Sequence, residues 1–417
     1  MTAESVEAVE DTSRRLLHVA ARMLVEYNER SALIRQHLDR LAARLGVAVS
    51  IGVAYRRVTL AFGDGRVLRT EAPELRVDTA RSISVLRAID DFCAGRIDAS
   101  EALRRLESIE ATSVRHGRVV VAALFGLAAA ALAALLGADR GAIVASGASA
   151  AAGLLARQQA ATRTRTVLVP PFAAALVGAV IGGVVIRADW TVTQQLCLIV
   201  PALMLVPGPH LINSIEDILE NEMEAGLGRL TLAVAILLAA AFGVAVGGSL
   251  AIGTLAEAAP GGRAGVVGPV AIALAGVASA GFGAFQNSPW RVVWVSIACG
   301  AMGYAIRAAC LAGDAGLAMG SLAACFTIGI AAGLASRHLH LPFASVAFAC
   351  AAPLMPGLLI YRSIAAAMRI VTAGSAAEPT LAIAMLAPFL EAAFVVTAMV
   401  VGLLAGARVA ASIARRG

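Results

Sequence analysis

From Val119 to its C-terminus the chain is a succession of apolar stretches, most of them close to twenty residues long. A helix of about 20 apolar residues crosses the ~30 Å hydrocarbon layer of a bilayer. The stretches lie near residues 119–137, 141–156, 167–186, 192–212, 227–254, 266–283, 292–311, 315–335, 342–364 and 380–407. The second is short and rich in Ala, Gly and Ser. A mean hydropathy of +0.80 over 417 residues excludes a soluble globule. The fold class predicted is therefore mainly α: a polytopic membrane protein of about ten transmembrane helices.

The first 116 residues have a different pattern, which predicts an α+β domain outside the membrane. The predicted elements are helical structure near 12–45, strands near 47–55, 57–62 and 66–70, and helices near 79–94 and 99–113. Gly63-Asp64-Gly65 predicts the turn between the last two strands. Asp98 or Ser100 is a suitable N-cap for the second of the later helices. No apolar signal-peptide core precedes residue 119.

Two stretches of the apolar region resemble each other. One begins Val206-Pro207-Gly208 and the other Met355-Pro356-Gly357, and the two prolines are 149 residues apart (356 − 207). A Pro-Gly pair inside a span frees backbone groups that lipid cannot satisfy, so protein or a water-filled cavity must cover it. Paired breaks of this kind are typical of the binding sites of transporters. Counting from Val192 puts the first break ~22 Å into its span, beyond the midplane.

The breaks divide the apolar region into two halves of five spans. Because five is odd, the second half enters the membrane in the opposite orientation, which predicts two inverted five-helix repeats. The alternative is a coincidence of apolar segments. The domains are then an N-terminal cytoplasmic α+β domain (1–116) and membrane repeats at 117–255 and 266–417. Arginines are more frequent in loops on the side of the N-terminal domain, which predicts cytoplasmic N- and C-termini in a bacterial inner membrane.

Several chemistries lack the residues that they need. All 34 basic residues are arginine, so a Walker A lysine and a Schiff-base lysine are missing. No HExxH motif and no clear nucleophile–base pair indicates an enzyme. The net charge of +6 has no nucleic-acid footprint. The six cysteines lack zinc-ligand spacing, and His338 and His340 lack further ligands. We predict no cofactor, no metal and no nucleic-acid partner.

The first break opens a polar helical face. Gly208 and Pro209 are typical of a helix start, whose free N–H groups favour a carboxylate. His210, Asn213 and Asp217 follow on one stripe, which continues to Glu220. The stripe is a candidate cavity lining that binds substrate, with Asp217 as a candidate proton carrier. The alternative is that it faces cytoplasmic water.

Other candidates lie in the second half. Glu391 is a carboxylate in the middle of a span, which is costly and predicts either proton coupling or a structural hydrogen bond. Tyr361 follows the second break and either binds substrate or lies at the membrane interface. Arg307 could bind a carboxylate, or its guanidinium reaches the outer interface.

These residues carry a family resemblance over nearly the whole chain. The run from Val206 to Asp217, then Gly226 and Arg229, resembles the signature of the threonine/serine exporter family. The segments Val77-Asp78 and Ala352–Gly357 are similar to that family's N-terminal and second membrane domains. In some bacteria similar halves occur as two proteins implicated in dicarboxylate export. The resemblance implies about ten spans, a cytoplasmic N-terminal domain and export driven by the proton-motive force.

The function predicted is therefore secondary export of threonine and serine. The alternatives are export of dicarboxylates such as succinate, and a membrane-embedded sensor or scaffold without transport. The partners expected are a small amino acid or carboxylate, protons and the lipid bilayer, with a homo-oligomer left open.

Overall fold

A computed structural model describes residues 3–112, 116–252 and 265–416 of the chain. The structure is mainly helical and contains one small antiparallel sheet. Residues 3–112 form an N-terminal unit with its own hydrophobic core, which extends from Leu16 to Ile109. The remaining helices share a second, larger core.

The N-terminal unit packs four helices on a three-stranded meander. Its elements are α1 (Ala3–Glu26), α2 (Ser31–Leu45), β1 (Val49–Ala54), β2 (Arg57–Phe62), β3 (Val67–Glu71), α3 (Thr79–Cys93) and α4 (Ala99–Thr112). The strands pair in the order β1-β2-β3, with Ile51 opposite Leu60 and Leu60 opposite Leu68. Gly65 adopts φ +84° in the turn predicted between β2 and β3. Asp98 is the residue that caps α4, since its Oδ1 accepts from the Glu101 amide at 2.8 Å.

The helical pattern predicted over 12–45 is interrupted in the structure. Helix α1 ends at Glu26, and α2 begins at Ser31. Asn28 adopts φ +57° in the connection, a conformation that Asn tolerates better than most residues. No Pro or Gly marks this turn, so leucine spacing alone could not reveal it.

Twelve further helices follow within the described residues. The first helix set is α5 (Arg118–Leu135), α6 (Arg140–Arg163), α7 (Val169–Arg187), α8 (Gln194–Leu203), α9 (Gly208–Leu219) and α10 (Met223–Ile252). The second helix set is α11 (Pro269–Phe285), α12 (Trp290–Ala312), α13 (Leu317–Leu339), α14 (Phe343–Ala351), α15 (Gly357–Ala373) and α16 (Pro379–Arg416).

Fewer than ten of the described helices qualify as membrane spans by their length and hydropathy. Six of the described helices are long and apolar enough: α5, α7, α10, α12, α13 and α16. The bent pairs α8–α9 and α14–α15 raise the number to eight if each is one span. Helix α11 has only 17 residues. Helix α6 carries Arg, Gln, Ser and Thr among its alanines, which lowers its hydropathy. Ten spans therefore stays a prediction.

Helices α7 and α10 pack closely through glycines. A Cβ atom at Gly243 or Gly247 of α10 would lie 2.5 Å from the carbonyl oxygen of Phe172 or Leu176 in α7. Small residues at such positions let two backbones approach each other in a membrane. Any larger side chain at Gly243 or Gly247 would therefore push the two helices apart.

Helices α13 and α16 repeat this contact in the second helix set. A Cβ atom at Gly402 or Gly406 of α16 would collide with the carbonyl oxygen of Leu322 or Phe326 in α13. These two carbonyls follow their counterparts in α7 by 150 residues (322 − 172 and 326 − 176). The same close contact thus recurs at equivalent places in the two helix sets.

Candidate functional site

Both Pro-Gly pairs break a helix in the structure. Helices α8 and α9 meet at an angle of 57°, with the segment 204–207 between them. Helix α14 continues as a 3-10 turn to Leu354 and then meets α15 at 72°. In both cases the new helix begins at the glycine, Gly208 or Gly357, and Pro209 occupies the first turn of α9.

The two breaks cover each other. A Cβ atom at Gly208 would overlap the ring of Phe348 in α14, eight residues before the second break. A Cβ atom at Gly357 would collide with the side chain of Leu203 at the end of α8, just before the first break. Each helix start therefore packs on the apolar segment that leads to the other break.

The helix that leads to the first break is shorter than the sequence suggests. Helix α8 begins at Gln194 and ends at Leu203, so it is about 15 Å long, half of the hydrocarbon thickness. The count from Val192 to Pro207 includes the segment 204–207, which is not helical, and the depth of the break in the membrane stays a prediction.

Arg307 satisfies a backbone group that the second break frees. Its guanidinium donates to the carbonyl oxygen of Leu354 at 2.7 Å and lies over the ring of Tyr304. The sequence suggested a substrate contact or an interfacial position for Arg307. A carbonyl freed before Pro356 needs a donor, and this requirement explains an arginine in a neighbouring helix.

The polar stripe of α9 is covered by the N-terminal unit. Asn213 and Asp217 are buried, with 2% and 0% exposure. The Asn213 amide donates to the carbonyl of Asn28, and Asp217 Oδ1 accepts from the Ser31 amide at 2.9 Å. Asp217 thereby caps α2, whose own residue before the first turn, Arg30, supplies no side-chain cap. The α1–α2 connection is therefore the segment that covers the polar stripe of α9.

Arg229 joins the same cluster from α10. Its guanidinium donates to the Glu29 carbonyl at 2.6 Å, and its Nε lies 3.4 Å from Asp217 Oδ2. Gly226 permits this arrangement, because a Cβ atom there would lie 2.9 Å from the Ser214 carbonyl. The signature residues recognised in the sequence thus build the α9–α10 corner and its contact with the N-terminal unit.

Glu29 brings a second buried carboxyl to this corner. Burial raises the pKa of the Glu29 carboxyl, although its hydrogen bond with the Arg30 amide and the charges of Arg30 and Arg229 lower it. The neutral form is favoured relative to an exposed glutamate. We name the group formed by Glu29, Ser31, Asn213, Asp217 and Arg229 the docking cluster.

The ends of the stripe have different surroundings. His210 is buried at 6% exposure, and its Nδ1 has no hydrogen-bond partner in the described part of the chain. Glu220 forms an ion pair of 2.9 Å with Arg30 and remains partly exposed. The stripe therefore runs from a buried imidazole near the break to a charged pair at the edge of the N-terminal unit.

Glu391 lies at the level of the second break. Ser363 of α15 donates to the Met385 carbonyl of α16 at 2.8 Å. Because α15 and α16 run antiparallel, six residues forward in α16, from Met385 to Glu391, correspond to six residues back in α15, from Ser363 to Gly357. Glu391 is exposed in this structure. The side chain of Tyr361 lies outside the described part of the structure.

Contacts at two further turns hold the N-terminal unit against the helices. Asp78 caps α3 and accepts from the Asn287 amide group at 2.9 Å, while the Thr79 amide donates to the Gln286 carbonyl. His340 lies 3.3 Å from Asp90. His338, considered together with His340 as a metal-binding pair, is exposed. The N-terminal unit thus contacts the α9–α10 corner, the α11–α12 turn and the α13–α14 turn.

The long apolar helices and the two bent helix pairs indicate a multi-pass membrane protein. Residues 15–251 match the family described as "putative threonine/serine exporter", and residues 271–409 match "threonine/serine exporter, ThrE". The chain therefore belongs to the threonine/serine exporter family, in a form that fuses both parts. No curated protein and no solved structure matches the chain.

The contact between the breaks predicts a stability coupling between Gly208 and Phe348. Gly208→Ala overpacks the ring and should cost about 1–3 kcal/mol, whereas Phe348→Ala should cost about 3–5 kcal/mol. The double variant should be more stable than the summed losses by about 0.5–3 kcal/mol. Thermal midpoints of the purified protein in detergent measure the effect, with Gly313→Ala as control because its new methyl meets ordinary contacts of 3.5 Å. Strictly additive losses would contradict the contact.

The docking cluster predicts that Asp217→Asn releases the α1–α2 connection. The variant leaves Arg229 buried without its ion pair, a change that costs about 3–5 kcal/mol. Amide hydrogen exchange of peptides covering residues 27–34 should therefore become faster. The matched control is Glu220→Gln, since its partly exposed pair with Arg30 contributes about 0–1 kcal/mol. Wild-type protection in Asp217→Asn would show that Asp217 does not hold this connection.

Proposed function

We propose that the protein is a secondary transporter that exports threonine and serine across the bacterial inner membrane, driven by the proton-motive force. One observation carries the proposal: two broken helices, one from each helix set, start again at glycines that pack on the apolar segment leading to the other break. Helix breaks of this kind are found where transporters bind substrate. Membership of the exporter family supports the same reading.

An inverted pair of five-span repeats is part of the proposal. The N-terminal unit contacts the α9–α10 corner, the α11–α12 turn and the α13–α14 turn. If it lies on one membrane face, the helices between successive contacts must cross in pairs. Counting each bent pair as one span then yields ten crossings. The repeated glycine contacts of α7–α10 and α13–α16 agree with this arrangement.

The substrate site proposed lies where the two breaks meet. The positive end of the α9 dipole, at the helix start formed by Gly208 and Pro209, favours the carboxylate of an amino acid. The equivalent start at Pro356-Gly357 packs on Leu203 of α8, and the Nδ1 of His210 has no hydrogen-bond partner among the described residues. In this scheme Asn213 and Tyr361 donate hydrogen bonds when the site opens.

Two carboxylates are candidates for proton coupling. Asp217 is buried beside Arg229, and Glu391 lies at the level of the second break. One proton charge that moves across 100 mV provides about 2.3 kcal/mol, which sustains a roughly fifty-fold gradient of substrate. This is sufficient for a cell that exports surplus amino acid.

Export predicts a measurable loss on deletion of the gene. Cells preloaded with threonine- or serine-containing peptides should retain more of the free amino acid when the gene is deleted, and a protonophore should remove the difference. Succinate efflux measured in the same cells tests the dicarboxylate alternative. Identical efflux of threonine and serine with and without the gene would refute amino-acid export.

A coupling role for Glu391 predicts a specific defect in Glu391→Gln. The variant should lose the dependence of threonine export on pH, and the gradient that it sustains should fall by up to roughly fifty-fold, because one charge no longer moves. Everted membrane vesicles with an imposed pH gradient measure this. Glu378→Gln is the control, since Glu378 lies in the exposed α15–α16 connection. A wild-type pH profile in Glu391→Gln would exclude the role.

A further inference from the structure

A cavity of about 370 Å³ lies where the N-terminal unit meets both helix sets. Its walls come from α2 and α3, from the end of α9, and from α13 and α16. The volume lies in the lower part of the range of small-molecule sites, and such sites are common at junctions between domains. The cavity is separate from the meeting point of the two breaks. Its residue Glu216 follows Gly208 by eight positions, or about 12 Å along α9.

One wall of the cavity is acidic and has an unused acceptor. Glu216 has 6% exposure, and its Oε1 lies 3.6 Å from the Arg30 guanidinium. Its Oε2 has no hydrogen-bond partner among the described residues. Arg30 is already engaged more closely by Glu220 at 2.9 Å. A buried carboxylate oxygen without a donor is costly, so this wall is suited to a ligand that donates hydrogen bonds and carries positive charge.

A second part of the lining, from α13 and α16, is basic and has unused donors. Arg337 of α13 and Arg408 of α16 line the cavity and form no ion pair with any residue that the structure describes. Gly333 brings these two helices together, since a Cβ atom there would lie 2.9 Å from Ala410 Cβ. The Oγ of Ser336 beside them is also without a partner. Two guanidinium groups and a hydroxyl are suited to a carboxylate.

We propose that this cavity is a loading site for a small zwitterionic amino acid, with its ammonium group on Glu216 and its carboxylate on Arg337 and Arg408. The inference rests on the proposed function and adds where the exporter first holds its substrate. The acidic wall discriminates against a dicarboxylate, whose second negative charge would face Glu216 and Glu220. A phospholipid headgroup with an ammonium and a phosphate shares the ligand chemistry, so the test includes one.

Binding of radiolabelled L-threonine to the purified full-length protein in detergent tests the site. The wild type should bind saturably and gain a higher thermal midpoint with threonine. Glu216→Gln and Arg337→Gln should each weaken binding by about tenfold or more, as expected for a charge-assisted hydrogen bond. Arg163→Gln is the control, because Arg163 is an exposed arginine at the end of α6 outside the cavity. Succinate should not compete with threonine.

The possible results distinguish a failure of the proposed loading site from a failure of the proposed export function. Unchanged threonine affinity in both cavity variants, in protein that exports threonine, would overturn the loading site and leave export intact. Displacement of threonine by phosphoethanolamine at similar concentration would overturn it in favour of a lipid headgroup. Cavity-dependent threonine binding in a protein whose deletion leaves efflux unchanged would uphold the site and refute export. A variant that fails to fold is recognised by its thermal midpoint without ligand, and Arg408→Gln then replaces it.

Discussion

The structure depends on how an interrupted helix is tolerated inside an apolar bundle. Each Pro-Gly pair ends a helix where lipid offers no hydrogen bonds, so the freed backbone has to be covered by protein. Here the two breaks cover each other: Gly208 lies against Phe348, and Gly357 lies against Leu203. Arg307 supplies the donor for the Leu354 carbonyl. Because each break is packed by the other helix set, movement of one set relative to the other would act directly on both helix starts.

The N-terminal unit is coupled to the same helix through buried charges. Asp217 caps α2, and Arg229 bridges Asp217 and the Glu29 carbonyl, so α9 is connected to the α1–α2 connection at one end and to the first break at the other. Removing one partner from such a cluster leaves an unpaired buried charge. A change in the first break can therefore reach the N-terminal unit through α9, a helix of only twelve residues. Helix α9 alone therefore connects the first break, at its start, to the cavity at the domain junction, which its end lines.

The sequence was most informative where local chemistry decides structure. Asp98 caps its helix, Gly65 occupies the turn that its neighbours predict, and helices start at Gly208 and Gly357. It was less informative where two distant segments meet. The stripe from His210 to Asp217 has the pattern of a cavity lining, yet Asn213 and Asp217 contact residues nearly two hundred positions away. Helical periodicity records that a face is polar, and it cannot record which polar partner covers it.

By itself the sequence determined that this chain is a mainly helical membrane protein with an N-terminal α+β region, two equivalent Pro-Gly breaks and the signature of its family. Hydropathy, turn residues and caps are local properties, so they can be read without the fold. Only the tertiary structure decided that the two breaks meet, that Arg307 serves one of them, and that the α1–α2 connection covers the polar stripe. These relations depend on side-chain packing and hydrogen bonds between segments far apart in the chain, which no local sequence pattern specifies.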